Sequence, residues 1–490
     1  MAFNSLRFLI FFPVVLLLYY SIPQKWKNVW LLICSYFFYA CWNVRYCLLL
    51  LVCTLLSYFA AIIVEKRTEN TAFKKKIFIL GVLSLVGMLS LYKYSNFALE
   101  NISRLLEHIG MSSLPQLDIV MPVGISFFTF QALGYLIDVY SGKMSAERSF
   151  VTHALFVSFF PQLLSGPIGR ADKLLPQYRQ AKSFSYEKVR NGFLLMLWGF
   201  FLKIVISDRA ASLVAVVYGD YHSFTGMQIV FATVIYGVQI YCDFYGYSSM
   251  AIGAAEMLGI DLPENFDTPY LAASIQEFWR RWHMSLSSWL RDYIYFPLGG
   301  SRCSKTRHYL NILIVFLVSG LWHGAKWSFV AWGLLHGLYQ VLGNVFAPYR
   351  RKLCEQLGIR TDTAVVRLWK MFVTFVLVDF AWLFFRADGL MNALRMCKRI
   401  LLELHPLSLM NGRIYELGLD RMNLWLLLYG VAFLLLTDIL HYRGVKLRTW
   451  FAQQNWLFRE LAAVSGMLLI LVFGIWGNAY NASSFIYFQF

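Results

Sequence analysis

Cys47-Leu48-Leu49-Leu50-Leu51-Val52-Cys53-Thr54-Leu55-Leu56-Ser57-Tyr58-Phe59-Ala60-Ala61-Ile62-Ile63-Val64 runs for 18 residues without a charge. A run of that length approaches the roughly 20 apolar residues that carry a helix across a hydrocarbon core. Leu6–Tyr20, Ile77–Leu91, Phe193–Ile206 and Leu461–Trp476 read the same way, so the pattern belongs to the whole chain. Several of these runs are slightly short, which tilt, snorkelling or half-inserted helices make good. None alternates with period 2 as a membrane barrel does, and helices are then the spanning option that satisfies the backbone in lipid. Only 14% of the residues are charged against 59% hydrophobic, and mean hydropathy is +0.55. A water-soluble surface needs about a quarter charged residues, so most of this surface faces lipid.

The expected fold is all-α and polytopic, with about 11–13 transmembrane or partly inserted helices. Working spans fall near 6–22, 29–42, 44–64, 77–92, 119–140, 189–206, 227–247, 309–322, 327–345, 366–385, 423–440 and 460–477. With no internal repeat and no low-complexity linker, the chain reads as one domain over 1–490. Leu6–Tyr20 has one basic residue, Arg7, and no small-x-small cleavage site before Pro23, so it reads as an uncleaved first span. Tyr19, Tyr20, Trp26, Trp42, Tyr140 and Trp369 stand near span ends, as an interfacial aromatic belt does.

The formal net charge is +17, but the basic residues gather in short loops between spans. That distribution excludes nucleic acid as the natural partner and favours anionic lipid. Glu65–Lys76, Gly169–Arg190, Arg280–Arg307, Tyr349–Lys370 and Tyr442–Arg448 are expected on the cytoplasmic side. Counting spans outward from them places both termini outside. Arg386–Arg399 is basic yet lands outside in this count, which an amphipathic helix lying in the interface explains. Cys34, Cys41, Cys47 and Cys53 lie within apolar runs as small hydrophobes, and no Cys-x-x-Cys or Cys/His spacing predicts a metal site.

Two stretches depart from a plain bundle. Phe159–Gly169 carries two prolines and two glycines inside an apolar helix, and Gln162 and Ser165 are its candidate lining residues. Phe278–Asp292 reads as one amphipathic interfacial helix, with Trp279, Trp282, Leu286 and Trp289 on one face. His283 sits on it. His323 follows in Ser319-Gly320-Leu321-Trp322-His323-Gly324-Ala325, between two apolar runs and between glycines that permit a tight break. His336 comes 13 residues later in Trp332-Gly333-Leu334-Leu335-His336-Gly337. An ionisable group within the membrane is expensive and is a functional candidate for that reason. An imidazole kept neutral by burial suits a general base that takes a proton from a hydroxyl and later returns it to a leaving thiolate. The competing reading of each histidine is a packing residue satisfied by its neighbours.

Gln276–Ser287, Asp292-Tyr293-Ile294-Tyr295-Phe296-Pro297-Leu298-Gly299-Gly300 and Gly320-Leu321-Trp322-His323-Gly324 together resemble the membrane-bound O-acyltransferase family. Pro122–Phe130, Pro161–Ile168, Asp243–Ser248, Phe384-Phe385-Arg386-Ala387 and Phe485–Phe490 extend the resemblance over nearly the whole chain. It looks closest to the branch holding the alginate O-acetylation membrane subunit and the D-alanyl transfer protein of teichoic acid synthesis. The resemblance implies helices arranged around a tunnel, with His323 as the catalytic histidine and His283 as its upstream polar partner. His336, Gln162, Ser165, Asp243, Arg280 and Arg281 are expected as tunnel or support residues, the last three lining an entry or meeting a donor phosphate.

Acetyl-CoA or another acyl thioester is the implied donor, with no tightly bound cofactor and no metal. An exported acyltransferase or a polysaccharide synthase subunit is the implied partner, and a bacterial inner membrane the implied location. The expected function is O-acyl transfer, most simply of acetyl, toward hydroxyls of an extracytoplasmic polysaccharide. D-alanyl transfer to teichoic acid is the alternative within the family. A transporter of a lipid-linked sugar is the alternative outside it, and the lack of a second broken helix to pair with 161–169 counts against that reading.

Overall fold

The computed structural model describes residues 1–66, 71–410, 412–476 and 485. Arg67 of the first basic loop, residue 477 of the last working span and residues 486–490 of the terminal motif lie outside the described residues. The helices run α1 (Leu6–Ser21), α2 (Gln24–Ala40), α3 (Val44–Lys66), α4 (Thr71–His108), α5 (Ile125–Tyr140), α6 (Phe150–Ser158), α7 (Phe160–Leu163), α8 (Ala171–Arg179) and α9 (Tyr186–Phe200). A π-helical stretch, Phe201–Ser207, leads into α10 (Asp208–Gly219) and α11 (Gly226–Met257). Then come α12 (Ile275–Arg281), α13 (Met284–Leu290), α14 (Lys305–His323), α15 (Trp327–Gln356), α16 (Ala364–Arg386), α17 (Leu390–Leu402), α18 (Arg421–Tyr442), α19 (Leu447–Ala452) and α20 (Trp456–Phe473). No strand occurs among the described residues. Each of the twelve working spans falls largely on helix, residues 119–124 and 474–476 being the main non-helical parts, and seven helices (α3, α4, α11, α15, α16, α18 and α20) are long and apolar enough to cross a membrane. The chain is a multi-pass membrane protein.

Contacts group into two units, residues 1–196 with 247–263 and 482–490, and residues 197–246 with 264–481. In the first unit α3 packs against both α4 and α5. Its polar residues are disposed of locally: Thr54 and Ser57 hydroxyls donate back to the carbonyls of Leu50 and Cys53 at 2.8 and 3.0 Å. The predicted break near 159–169 is present as the gap between α6 and α7. Ending α6 at Ser158 strands its last carbonyls. The Phe156 carbonyl is met by two amides, Nε2 of Gln131 at 2.6 Å and Nε2 of Gln162 at 2.9 Å, while Ser35 Oγ accepts from the Phe160 N–H at 3.1 Å.

In the second unit the tightest pairing is the α14–α15 hairpin, and glycine allows it. A Cβ on Gly320 would stand 2.4 Å from the Phe329 carbonyl oxygen, and one on Gly333 would stand 2.3 Å from that of Phe316. Small residues let membrane helices approach backbone to backbone in this way. Side-chain caps set several helix starts in this unit: Asp420 accepts from Asn423 N–H at 2.7 Å and Asn455 from Phe458 N–H at 2.8 Å. The basic stretch 386–399 is largely α17, a short helix with Ala393 and Met396 buried and Met391, Leu394, Leu401 and Leu402 exposed.

Candidate functional site

The single amphipathic helix expected over 278–292 is replaced by two seven-residue helices, α12 and α13, hinged at Trp282–His283. The cause is tertiary. Residues 265–267 lie antiparallel to 281–284: Arg281 O accepts from Asp267 N–H at 3.0 Å, and Asn265 O from Met284 N–H at 3.0 Å. Those bonds replace the helical ones, and His283 at the hinge takes a left-handed backbone with φ 44° and ψ 52°. For a non-glycine residue this conformation costs about 1–2 kcal/mol, and such strain gathers at functional sites. Asn265 is the organiser. Its Oδ1 accepts from Ser285 N–H at 3.2 Å and Ser285 Oγ–H at 2.8 Å, and it stands 3.3 Å from His283 Nδ1.

His283 is fully buried. Its ring stands edge-on to Phe244 at 4.6 Å and to Trp322 at 5.8 Å between centroids. Burial holds the imidazole below its ordinary pKa, so the ring is neutral at physiological pH. The His323 ring centre lies 6.4 Å away, with 59° between the two ring planes.

His323 is the last residue of α14, because Gly324 follows in extended backbone with φ −170°. A Cβ at Gly324 would meet the Phe329 ring at 2.2 Å, so the packing at the break calls for glycine. The imidazole is 3% exposed and walled by aromatic edges: Trp322 at 5.0 Å, Trp332 at 5.0 Å and Phe385 at 5.2 Å between centroids. Trp332 in turn stands 5.0 Å from His336. The indole Nε1–H of Trp279 donates to His336 Nδ1 at 3.2 Å, which places the proton of the neutral His336 ring on Nε2.

The remaining candidates fall elsewhere. Asp243 is buried in an ionic cluster: Lys203 Nζ, on the π-helical stretch, donates to Asp243 Oδ1 at 2.6 Å and pairs with Asp208 Oδ1 at 2.9 Å. Its carboxylate is 1% exposed, and its neighbour Phe244 is what reaches His283. Arg281 pairs with Glu277 at 3.1 Å and Asp267 at 3.2 Å and so staples the hinge. Arg280 is exposed, Arg291 pairs with Asp292 at 2.8 Å, and Gln162 and Ser165 are buried in the first unit. Among the described residues no three His, Cys, Asp or Glu side chains are grouped to hold a metal.

The sequence reading did not single out Asn265, Lys203, Asp208, Asp379 or Asp438. Four of these are charges in or beside apolar helices, the signal that picks out buried polar sites. Tyr241 OH donates to Asp438 Oδ2 at 3.1 Å, and Asp379 stands against Gly237, whose carbonyl accepts from Tyr270 OH at 2.6 Å.

The chain is thus a polytopic helical membrane protein that holds two buried imidazoles, His283 and His323, side by side among aromatic rings. Residues 144–385 match the membrane-bound O-acyltransferase family. A probable alginate O-acetylase of Pseudomonas aeruginosa is 37% identical over 81% of this chain and 74% of its own length. A peptidoglycan O-acetyltransferase of Helicobacter pylori is 35% identical over 81% of this chain and 79% of its own. A teichoic acid D-alanyltransferase of Streptococcus thermophilus is 27% identical over 56% of this chain and 70% of its own. The chain belongs to the membrane-bound O-acyltransferase family and is an O-acyltransferase, which sets the transporter reading aside.

Proposed function

We propose that this protein moves an acetyl group from a cytoplasmic acyl thioester, most simply acetyl-CoA, toward hydroxyls of an extracytoplasmic polysaccharide, directly or through an exported partner. The observation that carries this reading is the buried His323–His283 pair, centred 6.4 Å apart at two helix breaks. The attacking hydroxyl gives its proton to His323 as its oxygen bonds to the thioester carbonyl carbon. When the tetrahedral adduct collapses, the C–S bond breaks and His323 returns the proton to the thiolate. His283, kept neutral and oriented through Asn265, supports the hydroxyl on the other side. Exclusion of water suppresses hydrolysis of the donor, in keeping with the tunnel that the family resemblance implies. Exposed Arg280 and the exposed basic residues Arg302, Lys305 and Arg307 suit the phosphates of the donor on the cytoplasmic face. The site lies in a bacterial inner membrane, both termini are extracytoplasmic, and residues 1–490 act as one catalytic domain.

Acetyl is favoured over D-alanyl because the O-acetylating relatives are more similar and align over more of the chain. The test is labelling in cells. Acetate supplied to the cytoplasmic thioester pool becomes base-labile ester on surface polymer in cells with the parent protein, and does not in cells with His323→Ala at equal membrane abundance. Equal ester content in the two would refute the assignment.

A further inference from the structure

We propose that Trp332 and His336 supply the two hydrogen-bond donors that hold the acyl carbonyl oxygen beside His323 as charge builds on it; this rests on the acyl-transfer reading above. Ser328, Trp332 and His336 recur every four residues along α15 and so share one face of it. All three are fully buried, and each carries a polar atom with no hydrogen-bond partner among the described residues: Ser328 Oγ, Trp332 Nε1 and His336 Nε2. An indole N–H only donates. His336 Nδ1 is occupied as acceptor by the Trp279 indole at 3.2 Å, so Nε2 of the neutral ring carries a hydrogen and donates too. Two neighbouring side chains, 5.0 Å apart between ring centres, thus present N–H groups with no acceptor among the described residues.

Buried donors of this kind are ordinarily satisfied, and an exception calls for a ligand or a catalytic explanation. Trp332 stands edge-on to His323, 5.0 Å between centroids and 86° between planes. The group that lies against His323 in the proposed reaction is a thioester carbonyl, an acceptor whose oxygen gains negative charge in the transition state. As the hydroxyl oxygen bonds to the carbonyl carbon and its proton passes to His323, the carbonyl π pair moves onto oxygen. When that pair returns, the C–S bond breaks and the thiolate takes the proton from His323. Donors fixed in a water-poor site stabilise the charged stage more than the ground state, because no solvent must reorganise. The packing holds them fixed: the His336 ring lies edge-on to Trp279 at 5.0 Å and stacks on Phe316 at 6.1 Å.

The test uses the purified full chain in detergent, with acetyl-CoA as donor and short uronate or N-acetylhexosamine oligosaccharides as acceptors, reading free thiol. Trp332→Phe keeps an aromatic ring and removes the N–H. His336→Phe removes both ring nitrogens, and His336→Gln keeps a side-chain N–H. Trp332→Phe and His336→Phe are each expected to lower kcat by about 10²–10³-fold, the usual cost of one such donor, with little change in KM for acetyl-CoA. His336→Gln is expected to recover a good part of that loss, which a purely packing role for the ring does not explain. The paired His336 variants stand alone if Trp332→Phe fails to accumulate. If the donor-less variants keep the parent's kcat, or His336→Gln is no better than His336→Phe, the donor assignment falls while an inactive His323→Ala leaves the acyl-transfer reading in place. Turnover in His323→Ala overturns both.

Discussion

His283 combines a strained backbone with a neutral, buried ring. The left-handed φ of 44° is held by Asn265, whose side-chain oxygen accepts from Ser285 and faces His283 Nδ1. Asn265→Ala would leave buried donors unpaired, a cost of about 1–3 kcal/mol, and let the ring turn. The expected outcome is a reduced kcat at nearly unchanged KM for the donor, together with a lower melting temperature, checked by steady-state kinetics and thermal unfolding in detergent. Because burial lowers the His283 pKa on folding, the unfolded chain takes up a proton that the folded ring refuses. The contribution is therefore stabilising above the unfolded value of about 6.5 and is lost as pH falls through and below it. His283→Gln removes this linkage, so melting temperatures of parent and variant measured from pH 7.5 to 5.5 should show a shallower acid decline for the variant. Identical slopes would place His283 in contact with solvent or with an acid.

At the scale of elements, two features govern whether the site forms. The first is the α14–α15 hairpin, in which Gly333 leaves no room for a side chain against the Phe316 carbonyl oxygen. Gly333→Val forces the helices apart and moves His323 and Trp332 relative to one another. Overpacking of this kind costs about 1–3 kcal/mol or more, and the variant should lose both melting temperature and turnover. The second is the Lys203 cluster on the π-helical stretch, where one buried ammonium meets Asp208 and Asp243. Asp243→Ala removes the shorter of the two ion pairs and leaves Lys203 with Asp208 alone, so it should destabilise by less than the roughly 3–5 kcal/mol of a fully uncompensated buried charge. Asp243→Asn should cost less, because it keeps a hydrogen-bonding oxygen; denaturant titration in mixed micelles compares them. The glycine-flanked break at His323 was legible in Gly320-Leu321-Trp322-His323-Gly324, because glycine, apolar runs and a lone histidine are local signals. The hinge at His283 was not. Phe278–Asp292 has good helical periodicity, and the bonds that interrupt it come from Asn265 and Asp267, outside the stretch.

For the whole molecule, hydropathy placed the twelve working spans largely on helices, since a helix that must satisfy its own backbone in lipid leaves a long apolar run in the sequence. Residues paired across helices left no such record: Asp243 was visible as a polar intruder, but its partner Lys203 lay inside what read as an apolar run. Orientation rests on charge asymmetry. With basic loops inside, a cysteine introduced next to Met1 should react in intact cells with a membrane-impermeant maleimide, and one introduced near Lys305 should react only after permeabilisation. The reverse pattern would invert the proposed access of donor and acceptor.

The most direct measurement is thiol release by the purified chain from acetyl-CoA with an oligosaccharide acceptor, parent against His323→Ala, at matched folding by melting temperature. The parent should release thiol in step with ester formation, and His323→Ala should reduce both to the background of empty micelles. Thiol release in the variant at the parent's rate would contradict the role given to His323.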